Sequence, residues 1–450
     1  MDKLSPPKSV DPLTILPREL AEYVLEYLSF RQRMNACLVT KQWAQFIRST
    51  PNLWTHLDLT AARKRVRNKF ISRAINVAKA KLTAATINNV YDFDKVIGAL
   101  IKSCPLEDLT LLNCGLQGPS LPDLFKKAKR LRRLEIREGT IVPPYQLQNL
   151  LIAVSESIEM FECTLDSTST VGLEKGGMIY PRLKTLSLSF PSMNGAVTLF
   201  AGAAEKLPAL TSLTLRETSG NGRPPHIELL SLDKCARLQH LDLSLKLTST
   251  NWLPLPPSLV ILRLDTKTMI DSSAFFKPIT SGYQSRYFLP KLEELSIIGV
   301  AALHWSHIHD FILPDHPPGA SPGNENPEVS KLRKLAVNLE EKSISVDVLF
   351  QTARCDQIEY FSWTAGQGCS DMTVLNMIER LKSVHTLDLS GTDITGVGVK
   401  DALKACRLKR LIVNDCRHIG IDAIDWARSQ GIQVDYRMTD SLAGGNKVRY

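Results

Sequence analysis

Apolar residues recur along this chain in one phrase, L-x-x-L-x-L. It reads Leu106/Leu109/Leu111, Leu131/Leu134/Ile136, Ile158/Phe161/Cys163, Leu183/Leu186/Leu188, Leu210/Leu213/Leu215 and Leu238/Leu241/Leu243. It continues through Leu259/Leu262/Leu264, Leu292/Leu295/Ile297, Leu332/Leu335/Val337, Ile358/Phe361/Trp363, Val384/Leu387/Leu389 and Leu408/Leu411/Val413, twelve copies in all. Successive middle positions are 25, 27, 25, 27, 28, 21, 33, 40, 26, 26 and 24 residues apart. Alternation within each phrase is the period of a strand, whose side chains face opposite ways in turn. The residues between phrases have room for a helix or a turn. A unit of this length, repeated, predicts a solenoid in which each copy buries its apolar side against its neighbours.

Two weaker phrases come earlier in the same register. Trp54-Thr-His-Leu57-Asp-Leu59 and Leu82-Thr-Ala-Ala85-Thr-Ile87 place Leu57 28 residues before Ala85 and Ala85 24 residues before Leu109. At the far end Gly431 breaks a helix, and Ile432-Gln-Val434-Asp-Tyr436 reads as a closing strand. The period and the L-x-x-L-x-L core are those of leucine-rich repeats. Cys114 and Cys416, three residues after the last apolar strand position, stand where such repeats use Asn or Cys. Packing is the expected role of these thiols, because a buried free Cys behaves as a small hydrophobe.

The stretch before Trp54 has a different period. Pro17 suits the first turn of a helix, and Leu20, Val24 and Leu28 follow at four-residue spacing with Leu25 and Tyr27 beside them. Ser29 is placed to cap a second helix carrying Met34, Cys37 and Leu38. Thr40 is placed to cap a third carrying Trp43, Phe46 and Ile47, which Pro51 ends. Three helices of this size are too few to be stable alone, so one side must lean on the solenoid or on a partner.

Leu16-Pro17-Arg-Glu19-Leu20, then Val24-Leu25 and Leu28, then Cys37-Leu-Val39-Thr-Lys41-Gln-Trp43 resembles the F-box. The family pattern is L-P-x-E-(I/L), an apolar pair, a Leu, and V-C-(K/R)-x-W near the end. Here Val39-Thr40-Lys41 stands where Val-Cys-Lys is usual, and the likeness covers about forty residues. The whole resembles the F-box/leucine-rich-repeat class, and its cysteine-containing repeats resemble those of fungal members. The fold class this implies is α/β. A three-helix F-box would be fused to a solenoid with a curved parallel sheet on the concave face and helices or turns on the convex face. The expected divisions are a tail at 1–11, the F-box at 12–53, degenerate first repeats at 54–105, clear repeats at 106–438 and a tail at 439–450. Long loops are expected near 266–290 and 303–330.

The resemblance implies a substrate receptor of an SCF-type cullin–RING ubiquitin ligase. The F-box would dock on the small linker subunit and through it on the cullin, while the repeats hold a protein target. By carry-over, Leu16, Pro17, Leu20, Val24 and Leu28 are the docking residues. The alternative is a non-catalytic scaffold or chromatin-associated module whose F-box acts outside a cullin ligase. In either case the alternating strand positions face the concave side and are the candidate target contacts: Arg133, Arg137, Arg216, His240, Asp242, Arg263, Asp265, Tyr360 and Arg410.

Composition narrows the picture a little further. A formal net charge of +9 over 450 residues is modest. Two basic runs, Arg63–Arg73 and Lys126–Arg133, have no interleaved aromatic residues, so they read as solvated convex helix faces rather than as a nucleic-acid interface. Nine cysteines without a C-x-x-C suit a reducing compartment. No stretch approaches the ~20 apolar residues of a membrane span, and MDKLSPPKSV holds no apolar run. Nucleus or cytoplasm is therefore expected. His304, His307 and His309 put only the first pair on one helical face, so no metal is expected. The sequence has no G-x-S-x-G, P-loop or H-E-x-x-H motif, so neither catalysis nor a cofactor is expected of this chain.

Overall fold

The computed structural model describes residues 11–60, 67–78, 81–90, 92–116, 121–137, 139–140, 144–164, 179–190, 196–197, 203–217, 226–227, 232, 235–244, 255–271, 289–301, 331–338, 357–364, 369–379 and 381–438. They belong to two compact units, one of residues 1–167 with 178–189, the other of 168–177 with 190–450.

The first unit opens with α1 (Pro12–Ile15), α2 (Arg18–Glu26), α3 (Phe30–Ala36), α4 (Lys41–Ser49) and a 3-10 turn, Pro51–Trp54. Local chemistry sets the ends. Ser29 and Gln32 form a capping box at α3, and the Thr40 hydroxyl accepts the Trp43 amide at α4. Pro17 occupies the N-cap of α2, just outside its first turn. α1 is a helix beyond the three expected. Asp11 caps it by accepting from the Leu13 amide at 3.0 Å and also accepts from the Trp43 indole at 2.9 Å, so one carboxylate ties α1 to α4.

Ala21, Leu25, Phe30, Ala36, Cys37, Ile47, Leu53 and Trp54 are the buried apolar residues of these helices. The Trp54 indole donates to the Ile47 carbonyl at 2.7 Å, and its ring meets Phe30 edge to face with centroids 5.7 Å apart. Arg33 donates to the carbonyls of Leu28 and Leu53, clamping the α2–α3 turn to the 3-10 turn. Burial lowers the pKa of this guanidinium, against the opposing pull of Glu26 and Asp58.

One residue after Trp54 the chain enters the sheet. β1 (His56–Asp58), β2 (Ala84–Asn88), β3 (Asp108–Leu112), β4 (Arg133–Ile136), β5 (Met160–Thr164) and β6 (Thr185–Phe190) are all parallel, each paired with the next. The helices α5 (Asn68–Ala78), α6 (Phe93–Ser103), α7 (Leu121–Phe125) and α8 (Pro144–Val154) alternate with the strands from β1 to β5. Leu57, Ala85, Leu109, Leu134, Phe161 and Leu186 partner across the strands, which is the register the phrase predicts. The two weak phrases are therefore true repeats. At each strand start two amides share one carbonyl of the preceding repeat: Arg132 and Arg133 on Glu107, Glu159 and Met160 on Arg132, Lys184 and Thr185 on Glu159. Glu107, Arg132, Glu159 and Lys184 thus stack in one column along the sheet edge.

Among its described residues the second unit has parallel strands of three to eleven residues at Ser212–Glu217, His240–Ser244, Ile261–Asp271, Glu294–Ala301, Lys334–Val337, Tyr360–Trp363, Thr386–Asp388, Arg410–Ile412 and Gln433–Asp435. Their middle positions also partner, from Leu213, Leu241, Leu262 and Leu295 through Leu335, Phe361 and Leu387 to Leu411 and Val434. The 33- and 40-residue intervals around Leu295 leave that register intact. The loop expected from residue 266 needs correction: the strand continues to Asp271, past a register shift between Asp265 and Ile270. The rest of both expected loops, with the Phe275–Phe288 aromatics and His304, His307 and His309, lies outside the described residues, as do residues 1–10 and 439–450.

Helices Asp371–Ile378, Gly396–Ala405 and Ile421–Ser429 back the last repeats. Gly398 lies inside one of them, where Gly→Ala ordinarily stabilises by up to ~1 kcal/mol. Here an added Cβ meets the Asp371 carboxylate, with Cγ at 2.9 Å. That carboxylate is held by the Thr395 amide at 2.8 Å and the Thr395 hydroxyl at 2.6 Å, so it cannot step aside cheaply. Gly398→Ala is expected to destabilise the chain by about 1–3 kcal/mol. A urea midpoint at or above that of wild type would show that the helix shifts freely.

Candidate functional site

α2 carries more apolar surface than one core can take, and the fold divides it. Ala21 and Leu25 point inward and are 3% exposed each. Leu20, Tyr23, Val24 and Tyr27, at i, i+3, i+4 and i+7, point outward and are more than half exposed. Ile15 from α1 is exposed as well, and Leu38 and Val39 in the turn before α4 are exposed by 82% and 63%. Tyr23 and Tyr27 join hydroxyl to hydroxyl at 2.5 Å with their rings edge to face. The Tyr27 phenol pKa is raised, first by that bond and then by burial and Glu26.

Among the five expected docking residues, Leu20, Val24 and Pro17 are exposed, while Leu16 and Leu28 are half-buried. The sequence reading missed Ile15, Tyr23, Leu38 and Val39 as surface residues and grouped Tyr27 with the apolar stripe. The i, i+3, i+4, i+7 spacing of Leu20, Tyr23, Val24 and Tyr27 was the signal for four members of this face.

The alternating strand positions form the open face of each sheet, and the structure joins most of the candidate side chains to one another. In the first unit Arg137 pairs with Glu135 at 3.1 Å and with Glu162 at 3.2 Å, and Glu135 also accepts from Thr110. Arg133 is exposed and makes no ion pair among the described residues.

In the second unit Arg216 reaches Asp242 at 2.8 Å, Arg263 reaches Glu294 at 2.7 Å with Lys334 on the other Glu294 oxygen, and Arg410 meets Asp435 at 2.8 Å. Asp265 accepts from Ser244, and Ser362 donates to Asp388. Burial pushes the Glu294 carboxyl up, but Arg263 and Lys334 outweigh it and the net shift is downward. Tyr360 is half-buried, and burial followed by Asp388 raises its phenol pKa. His240 is exposed at the start of its strand. These arginines are thus already neutralised, and they offer a polar mosaic of fixed geometry rather than free cations.

The thiols are not chemical groups in waiting. The eight described cysteines are buried and unbridged. The Cys114 thiol donates to the Leu112 carbonyl at 3.1 Å and the Cys416 thiol to the Leu389 carbonyl at 3.1 Å. Burial pushes the Cys104, Cys114 and Cys406 thiols up to about 11, which leaves almost no thiolate at neutral pH. Among the described residues no His, Cys, Asp and Glu cluster is placed to hold a metal, and no helix is long and apolar enough to cross a membrane.

The F-box-like family matches residues 13–60, which takes in α1 to α4, the 3-10 turn and β1. The solenoid that follows gives one strand per L-x-x-L-x-L phrase, in register. The chain thus joins an F-box-like segment at residues 13–60 to strands laid in leucine-rich-repeat register. No curated protein matches it. Solved structures similar to it include a leucine-rich-repeat protein of Leptospira interrogans, 13% identical over 86% of this chain and 97% of that one, with TM-score 0.41. An internalin of Listeria monocytogenes is 13% identical over 83% of each chain, with TM-score 0.38. The yeast Rad7–Elc1 complex contributes a chain 13% identical over 98% of both, with TM-score 0.31. The family match ends at residue 60, inside the first repeat, so it takes in β1 as well as the helices.

Proposed function

We propose that this protein is the substrate-recognition subunit of an SCF-type cullin–RING ubiquitin ligase, acting in the nucleus or cytoplasm. Its F-box-like helices dock on the linker subunit, and the open faces of its repeats receive a protein target. The observation that carries this reading is the outer face of α2. A small helical domain that already has a core leaves Ile15, Leu20, Tyr23, Val24, Tyr27, Leu38 and Val39 in water. Four of these share one face of α2 by their spacing, and an exposed apolar patch of this kind marks a protein-binding site. The chain supplies no bond chemistry under this reading. It contributes proximity, raising the local concentration of a target lysine near the charged ubiquitin carrier.

Co-expression with a Skp1-type linker subunit tests it. The two chains are expected to copurify and to elute as one species on gel filtration, and to recruit cullin when it is added. Separate elution of a folded chain and the linker would sink the proposal.

A further inference from the structure

Strand Gln433–Asp435 stands at the end of the sheet and pairs on one side with Arg410–Ile412. In a parallel ladder alternate residues bond to the same neighbour. The Gln433 amide donates to the Lys409 carbonyl at 3.0 Å. The Asp435 carbonyl accepts from the Val413 amide at 3.0 Å, and the Arg437 carbonyl from the Asp415 amide at 2.8 Å. Residues 433, 435 and 437 therefore turn their backbone groups inward. Those of Val434, Tyr436 and Met438 point the other way, where no strand lies among the described residues. The Val434 carbonyl has a long contact from Arg428 at 3.5 Å. An open edge of this kind is a template for a further strand, and chains commonly blunt it with Pro or Lys. Residues 432–438 hold no Pro, Gly or Lys.

A second copy of this edge can meet the first antiparallel about a two-fold axis, with residues 434, 436 and 438 exchanging backbone bonds. Charge decides where the axis falls. At Asp435 it sets two carboxylates opposite each other, and at Arg437 two guanidiniums, and like charges directly opposite are destabilising. At Val434 it needs Gly431, whose φ of +80° takes it off the strand. At Tyr436 it sets Asp435 of each copy against Arg437 of the other. These are positions without a backbone bond between them, where opposed Cβ atoms come within ~4.5–5.5 Å, close enough for an ion pair.

Both charges are available for it. Arg437 is exposed and makes no ion pair among the described residues. Arg410 uses one oxygen of Asp435, Oδ2, with Nε at 2.8 Å, and leaves Oδ1. On the other side of the strand the same register lays Met438, 48% exposed, against the buried Val434. It also brings the two Tyr436 rings together at the axis, as a cross-strand aromatic pair.

We infer that this chain forms a two-fold dimer through residues 433–438, antiparallel and centred on Tyr436. Such a dimer carries two F-box-like domains and two sets of open faces, so two targets, or two sites on one target, are held at once. The contact uses no residue of the outer face of α2, so linker capture is independent of it.

Sedimentation velocity on the full chain tests it across the micromolar range, where interfaces of this small size associate. A reversible monomer–dimer equilibrium is expected. Tyr436→Pro removes the N–H at the axis and spares the inward bonds of 433, 435 and 437, so it should leave monomer alone. Arg437→Glu should weaken dimerisation about tenfold or more, because the axis repeats each lost pair. Asp435→Arg should weaken it likewise. Mixed in equal amounts, the Arg437→Glu and Asp435→Arg chains should associate again, since every opposed pair is then an acid facing a base. Arg437 is exposed, so Arg437→Glu keeps the circular dichroism of wild type and decides the matter even where Tyr436→Pro does not fold. A chain that stays monomeric throughout, a dimer indifferent to Arg437→Glu, or mixed variants that remain apart would each overturn the inference. Linker copurification by Arg437→Glu should equal that of wild type, so failure of the dimer leaves the receptor reading standing, and failure of linker capture leaves the dimer standing.

Discussion

Leu20→Lys with Val24→Lys should lower affinity for an SCF-type linker subunit by at least about a thousandfold while leaving the fold intact. Central apolar anchors of an interface are each worth ~2 kcal/mol or more, and two such losses amount to about three decades in Kd. The desolvation of two ammonium groups against an apolar partner adds to this. The fold should tolerate the change, because both side chains are more than half exposed and surface substitutions of this kind stay within ~0.5 kcal/mol. Leu25→Ala supplies the contrast. Leu25 is 3% exposed one position away on the same helix, and its truncation should cost about 2–5 kcal/mol of stability. Surface plasmon resonance against the linker, with thermal melts of each variant, separates the two effects. If Leu20→Lys/Val24→Lys binds as wild type does, the outer face of α2 is not where the linker docks.

The contrast within α2 also shows what the sequence could and could not tell. Its apolar stripe was legible, but the stripe spans both faces of the helix. Which half turns inward depends on the 3-10 turn Pro51–Trp54, against which α2 packs, and a helical period carries no information about that wall. The register of the L-x-x-L-x-L phrases was legible because a slip of one residue would turn every Leu of a phrase to water, whereas the shift beyond Asp265 lies outside the phrase and carried no such signal.

The ion pairs of the open faces were hidden for a related reason. Arg263 and Glu294 are 31 residues apart, and Arg216 and Asp242 are 26 apart. They become neighbours only once adjacent repeats are laid in register, and then on the diagonal rather than at the same position. The basic run at 126–133 does not lie on a convex helix face as the sequence suggests: α7 ends at Phe125, and Lys126 to Arg132 form the turn into β4. It looks helical in the sequence because nothing in Phe125-Lys126-Lys127 signals a helix end. There is no Gly or Pro there, and the helix stops where the chain must turn to bury Leu131 ahead of β4.

Trp54, two residues before β1, pins α3 and α4 together, and Trp54→Ala should be the most destabilising single change in the F-box-like region. Trp54 is fully buried, its indole N–H is spent on the Ile47 carbonyl, and its ring edge meets Phe30. Truncating a buried aromatic costs about 3–5 kcal/mol, and leaving a buried carbonyl without its donor adds about 1–3 kcal/mol. That sum rivals the ~5–15 kcal/mol that holds an ordinary domain together. Four short helices have no second core to fall back on, so α1 to α4 should lose fixed packing together. Hydrogen exchange should then show amides of α2, α3 and α4 unprotected, while β3 to β6, joined to one another by their own ladder, remain slow. Linker binding should disappear with that protection, whereas in Leu20→Lys/Val24→Lys it disappears with protection intact. Trp54→Phe keeps a ring beside Phe30 and loses only the N–H, so it should cost about 1–2 kcal/mol and retain linker binding. Wild-type protection of α2 to α4 in Trp54→Ala would mean that the helices stand without this ring, and that Arg33 and the Asp11 bridge suffice to hold them.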